Sequence, residues 1–260
     1  MTRNIAKHLI SLASPLPPNA HILDNACGPG IVIDELLPTI SSSAKSSISI
    51  IAVDAAPAMI NVVSARAEKD WKLSNNQVVA KASPGEDLAV VEDGWADVSF
   101  TNFGIMFFKD PEQGSRELYR TLKKGGTAFV TTWREVGYLR AVRIAEAEIR
   151  KGKKEVAMPF GDEWFEAGTL EGVLRKAGFE DVGMSEVQTG WKSKDLEDMS
   201  QAIGTIIGGL FRANGASEEE AGMLPGALKR IFEGGYGDEL TVEEGEPRMR
   251  MVAHVAVCRK

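Results

Sequence analysis

His21-Ile22-Leu23-Asp24-Asn25-Ala26-Cys27-Gly28-Pro29-Gly30 is the stretch that decides the fold. Ile22 and Leu23 open a strand, residues 24–30 form a glycine-rich turn, and a helix follows. That order presents backbone N–H groups and allows close main-chain approach at the switch point of a parallel sheet, where an adenosine-containing ligand lies.

Two ligand classes use this geometry. A dinucleotide fingerprint G-x-G-x-x-G would begin at Gly28, continue at Gly30 and require glycine or alanine at position 33, where this chain has Ile33. A bulky residue there obstructs the helix–strand packing that the third glycine permits, so the nicotinamide or flavin reading loses its best support. Asp54, ending the second strand, is compatible with either class, because a carboxylate there accepts hydrogen bonds from ribose hydroxyls.

Working outward, residues 48–53, 77–80, 97–100 and 127–133 read as further strands. Helices are expected at 3–14 and at 57–69, the latter with Pro57 in its first turn and Met59, Val62 and Val63 on one face. The serine-rich tract 41–47 reads as a surface loop. In the second half, helices at about 136–150 and 168–177 precede an extended run, 179–191, and the last strand is 249–257. Between these runs, apolar residues from Leu196 to Phe211 recur at helical spacing until Asn214-Gly215, and Ser217 with Glu220 forms a capping box for a second helix. The expectation is an α/β fold: a Rossmann-like, seven-stranded, mostly parallel sheet with helices on both faces and a helical insertion before the last strand. Residues 1–260 read as one domain. The insertion at 193–235 is either a lid over a substrate pocket or plain packing against the sheet.

The 260 residues carry a formal net charge of -7 and a pI near 5.2, which opposes a nucleic-acid partner. The basic runs 123–124 and 150–154 read as solvated helix ends. Cys27 and Cys258 imply no disulfide framework, no metal is expected, and no stretch is apolar enough to span a membrane, so the cytoplasm is the default location.

DNACGPG at 24–30, IIAVD at 50–54, FTNFGIMFF at 100–108 and LYRTLKKGGTAFVTTW at 118–133 together resemble the class I S-adenosylmethionine-dependent methyltransferases. More narrowly, they resemble the fungal natural-product branch of the ubiquinone and menaquinone methyltransferase-like group. The resemblance spans roughly residues 20–135. It implies S-adenosylmethionine as cofactor, held along Asp24, Ala26, Gly28 and Gly30, with Asp54 and Ala55 at the ribose and Asn102 and Phe103 near the cofactor's amino-acid end. Met59 falls where the family places an apolar residue under adenine, although core packing is an equal reading. The family's acid for the adenine amino group is missing: alignment on Leu88 puts Pro84 and Gly85 there, which leaves Glu86 or Asp87 as candidates that are otherwise ordinary loop acids. Asn102-Phe103-Gly104 lacks the Asn-Pro-Pro-Tyr run of nucleobase and glutamine N-methyltransferases, and Lys124 replaces a usual proline.

A sulfonium makes its methyl a good electrophile, so the protein must mainly align the reactants and exclude water. No general base stands out. His8 lies in the first helix, His21 at the wrong end of the sheet, and His254 reads as surface or half-buried on the last strand. The favoured acceptor is therefore a small molecule that is already nucleophilic, such as a thiolate, phenolate or amine, against apolar walls drawn from Phe103, Phe107, Phe108, Trp133 and Trp191. The oligomeric state is not readable. The alternatives are a non-methylating protein that keeps the fold as a regulator or rearrangement catalyst, kept open by the short segment before strand one, and, further behind, an NAD(P)-dependent oxidoreductase.

Overall fold

Short apolar runs separated by amphipathic stretches fold as an α/β sheet in the computed structural model, which describes residues 1–74, 77–153, 156 and 159–260. Lys154, the end of one basic run, lies outside the described residues. In chain order the elements are α1 (Thr2–Ala13), β1 (His21–Asn25), α2 (Ile31–Leu36), α3 (Ser42–Ser47), β2 (Ser49–Asp54), α4 (Pro57–Lys69), β3 (Val78–Ala82), β4 (Ala96–Asn102), α5 (Pro111–Thr121) and β5 (Leu122–Val136). There follow α6 (Leu139–Ile149), α7 (Ala167–Lys176), β6 (Asp181–Lys192), α8 (Leu196–Ala213), α9 (Glu218–Glu233), β7 (Leu240–Glu243) and β8 (Glu246–Arg259).

The sheet runs β3-β2-β1-β4-β5-β8-β6, and the pairs from β3 through β5 are parallel. The seven strands on this path match the expected number. An eighth strand, β7, was not anticipated: four residues forming a hairpin with β8 through Glu244-Gly245 are too short to show a period. Parallel strands covered on both faces are buried along nearly their whole length, and Leu23, Ala52, Val53, Phe100 and Val130 are fully enclosed.

Two other expectations change. The serine tract is a helix, α3: Ser41 acts as N-cap, its Oγ accepting from the Ala44 amide at 3.2 Å, so a composition that reads as a loop supplies the cap instead. Strand five begins five residues early, at Leu122 rather than Thr127, because Gly125-Gly126 lies in a bulge: Ala96 pairs with Leu122 and Val98 with Thr127, leaving residues 123–126 opposite Asp97 alone.

The chain forms two compact units. The first comprises Met1–Arg134, Asp162–Val187 and Ala253–Lys260. The second comprises Glu135–Gly161 and Gln188–Val252 and contains the helix pair expected in 193–235. Within it, α8 is capped by Asp195, α9 by the Ser217–Glu220 box, and the Tyr236 hydroxyl donates to Gly137 O while accepting from the Ala141 amide, both at 2.8 Å. Among the described residues no helix is long and apolar enough to cross a membrane.

Candidate functional site

The C-terminal ends of β1 and β2 bring two carboxylates together in the first unit. Asp24 is 1% exposed, and neither of its oxygens has a hydrogen-bond partner. Burial, with a smaller contribution from the nearby Asp54 charge, pushes its pKa up to about 8. A buried carboxylate with no donor is costly, and a cationic ligand group would supply what it lacks. Asp54 is differently placed: its two oxygens accept from the Gly28 and Ala56 amides, each at 2.8 Å, so it ties the glycine turn to the start of α4. Gly28 has φ +52, and a Cβ there would project into open space. Burial, followed by the charges of Asp24 and Asp54, raises the Cys27 thiol far above its usual range, so it acts as a small apolar wall.

The ends of β4 and β5 supply the opposite wall. Thr131 Oγ1 donates to Asn102 Oδ1 at 3.1 Å and accepts from the Phe103 amide at 2.9 Å, while Asn102 Nδ2 donates to Thr2 O at 3.4 Å. These bonds hold Phe103 at φ 60, and Ala26 stands at φ 57; both are non-glycine residues in the left-handed region. The Phe103 ring stacks on Trp133 with centroids 3.9 Å apart and planes 20° apart.

Two cavities lie here and share Ala26, Phe103 and Phe107. One, about 330 Å³, is lined further by Thr2, Asp24, Cys27, Gly28, Asn102 and Trp133. The other, about 340 Å³, is lined further by Asp54, Ala55, Pro84, Gly85, Glu86, Phe108 and Lys109. Most of the residues singled out in the sequence therefore converge. Gly30, Met59 and Asp87 line neither cavity. Gly30 caps α2, half-buried Met59 sits on α4, and exposed Asp87 turns its Oδ1 to the Ala89 amide. Of the two loop acids, Glu86 is thus the one presented to the cavity. Trp191 belongs to the second unit, edge-on to Tyr138 with centroids 6.2 Å apart.

The histidines stay outside both linings. His21 stacks on Trp95, and His8 lines a separate groove of about 540 Å³ that contains neither Asp24 nor Asp54. His254 is 3% exposed rather than at the surface, because β8 is an interior strand; its Nε2 bonds Phe165 O at 2.9 Å. Three contributors were missed: Thr2, Thr131, and Asn25, whose Nδ2 donates to Gly85 O at 3.0 Å. Thr131 carried a usable signal, a hydroxyl in an apolar strand next to the site.

The family described as "Methyltransferase domain" matches residues 23–130, which span β1 to β5 and both cavities. Among curated relatives, Methyltransferase tpcH of Aspergillus fumigatus is 24% identical over 250 residues, covering 92% of this chain and 84% of the relative. The ubiquinone/menaquinone biosynthesis C-methyltransferase UbiE of Geotalea daltonii is 33% identical over 114 residues, 44% of this chain and 45% of the relative. Among solved structures, phosphoethanolamine N-methyltransferase 2 of Haemonchus contortus, in complex with phosphomonomethylethanolamine and S-adenosylhomocysteine, shares the fold with a TM-score of 0.55 at 16% identity, covering 98% of this chain and 52% of that one. The β1 glycine turn and the paired carboxylates lie inside the segment that matches this methyltransferase domain, and the match, the relatives and the fold together support a class I S-adenosylmethionine-dependent methyltransferase.

Proposed function

We propose that this chain methylates a small, largely apolar acceptor whose nucleophilic atom needs little or no deprotonation: a thiolate, a phenolate or an amine. The observation that carries the reading is the character of the 330 Å³ cavity, where the stacked Phe103–Trp133 pair forms a wall and, among the described residues, no histidine, tyrosine or lysine joins the lining. Asp24 would face the cofactor's ammonium group, Asp54 the ribose and Glu86 the adenine amino group. The bound sulfonium supplies an electrophilic methyl. The protein's own part is then to hold the acceptor in line, with the aromatic pair excluding water and Thr131, itself bonded to Asn102, holding the Phe103 backbone in place. The name of the fungal relative supports methyl transfer at the level of reaction class. That of UbiE adds carbon as an acceptor atom, which fits a phenolate because its charge reaches the ring carbons.

Incubation with S-adenosylmethionine and a panel of thiols, phenols and amines, followed by mass spectrometry, is expected to show the gain of one methylene equivalent on at least one class. S-adenosylhomocysteine binding without any methylated product across the panel would point instead to a non-methylating protein. Asp54→Ala is expected to weaken S-adenosylhomocysteine binding by ~1–3 kcal/mol, since the ribose contact and two amide acceptors are lost together. Calorimetry on the folded variant checks it, and unchanged affinity would remove Asp54 from the ribose.

A further inference from the structure

Phe108 stands between two glycines. A Cβ built on Gly85 would lie 2.1 Å from Phe108 Cζ and 2.3 Å from Cε1, and one built on Gly114, in α5, would lie 2.4 Å from Cδ2. The ring therefore occupies the space of a side chain at both positions. It also lines the 340 Å³ cavity beside Gly85 and Glu86. The next residue, Lys109, donates its amide to Glu86 Oε1 at 3.2 Å, while Asn25 Nδ2 holds the Gly85 carbonyl at 3.0 Å and Glu117 Oε2 accepts from the Leu88 amide at 3.0 Å. The loop after β3 is thus pinned at three points, and the pin at Glu86 comes from the Phe108-Lys109 segment.

We infer that Phe108 is a positioning residue for base recognition: its ring, wedged against Gly85, and the amide that follows it set the second oxygen of Glu86 toward the cavity, which makes the site select a 6-amino purine over a 6-oxo purine. This rests on the reading of Glu86 as the adenine contact. It also accounts for the glycine at position 85, since any side chain there requires the ring to leave.

The test is calorimetry on the full chain with S-adenosylhomocysteine and with S-inosylhomocysteine, in which a carbonyl replaces the base amine. The wild type is expected to prefer the adenine compound roughly ten- to hundredfold, the value of one hydrogen bond to a charged acceptor. Glu86→Gln should erase the preference; if it persists, or the wild type shows none while still binding, the Glu86 reading falls and this inference with it. With Glu86 intact, Phe108→Leu should cut the preference by about tenfold. Gly85→Ala should lose affinity that Phe108→Leu restores in the same chain. Lys109→Pro provides a variant outside the packed ring, since Phe108 already has φ -70 and ψ 140, which a following proline accepts. It should cut the preference equally. A folded Phe108→Leu or Lys109→Pro that keeps the wild-type preference, or purely additive losses in the Gly85→Ala/Phe108→Leu pair, would overturn the inference.

Discussion

Asp24→Asn is expected to stabilise the cofactor-free protein at alkaline pH and, at the same time, to weaken S-adenosylhomocysteine binding at least a hundredfold. Burial, more than the Asp54 charge, raises the Asp24 carboxyl to about 8 in the folded chain, against about 4 when unfolded. The folded state therefore holds more protons than the unfolded state between those values, and stability falls as pH rises across that window. Fully developed above pH 8, the loss is on the order of 5 kcal/mol, at 1.36 kcal/mol for each unit. Asparagine carries no charge to bury but leaves an amide without partners, so the net gain should be about 2–4 kcal/mol at pH 8–9 and absent near pH 4. Binding runs the other way, because the cofactor's ammonium needs the ionised carboxylate. Wild-type affinity should accordingly rise about tenfold per pH unit up to about 8 and then level off. Thermal unfolding from pH 4 to 9 and calorimetry over the same range test both halves. Parallel stability curves for the two proteins would mean that Asp24 is not the buried, unpartnered carboxyl described above.

Gly30→Ala should produce the largest loss of stability among the glycine-turn substitutions. At φ +82 an alanine is strained, and its Cβ would lie 2.6 Å from Trp71 Cη2 and 3.1 Å from Cζ2. Trp71 has little freedom to move: its Nε1 donates to Asp34 Oδ1 at 3.0 Å. Asp34 in turn is held by Arg66 and Arg3, and although its partial burial works against ionisation, these donors together keep its carboxyl at about 2. Displacing the indole disturbs that network. Backbone strain of about 1 kcal/mol and overpacking of about 1–3 kcal/mol sum to ~2–4 kcal/mol, a fall in Tm of roughly 4–16 °C. Gly28→Ala is the internal comparison. With open space beyond its Cβ, it should lose only about 1 kcal/mol of stability but impair cofactor binding, since the added methyl enters the cavity. Equal losses of stability in the two variants would refute this division of labour.

The glycine turn, the two carboxylates and the strand ends were legible because each couples a residue type to a position in a repeating βα unit. Asp54 follows from that coupling, whereas Asp24, Asn102 and Phe103 were singled out by the family resemblance. What escaped did so for physical reasons. Helix α3 depends on a single Ser41 hydroxyl, which composition cannot weigh against a loop. The early start of β5 depends on a bulge, which is a property of pairing rather than of local sequence. His254 was misjudged because alternation assigns faces but not whether a strand is interior. The choice between Glu86 and Asp87 lay in hydrogen bonds to Lys109 and Ala89, and neither is visible in a run of loop acids.

Ala26 and Phe103 border both cavities and both hold a backbone conformation that glycine would adopt without strain. Glycine would relieve about 1 kcal/mol of backbone strain at either codon, but at Phe103 it would also remove the ring that stacks on Trp133, a loss of about 3–5 kcal/mol. A thermostabilisation campaign on this protein should therefore leave both codons fixed.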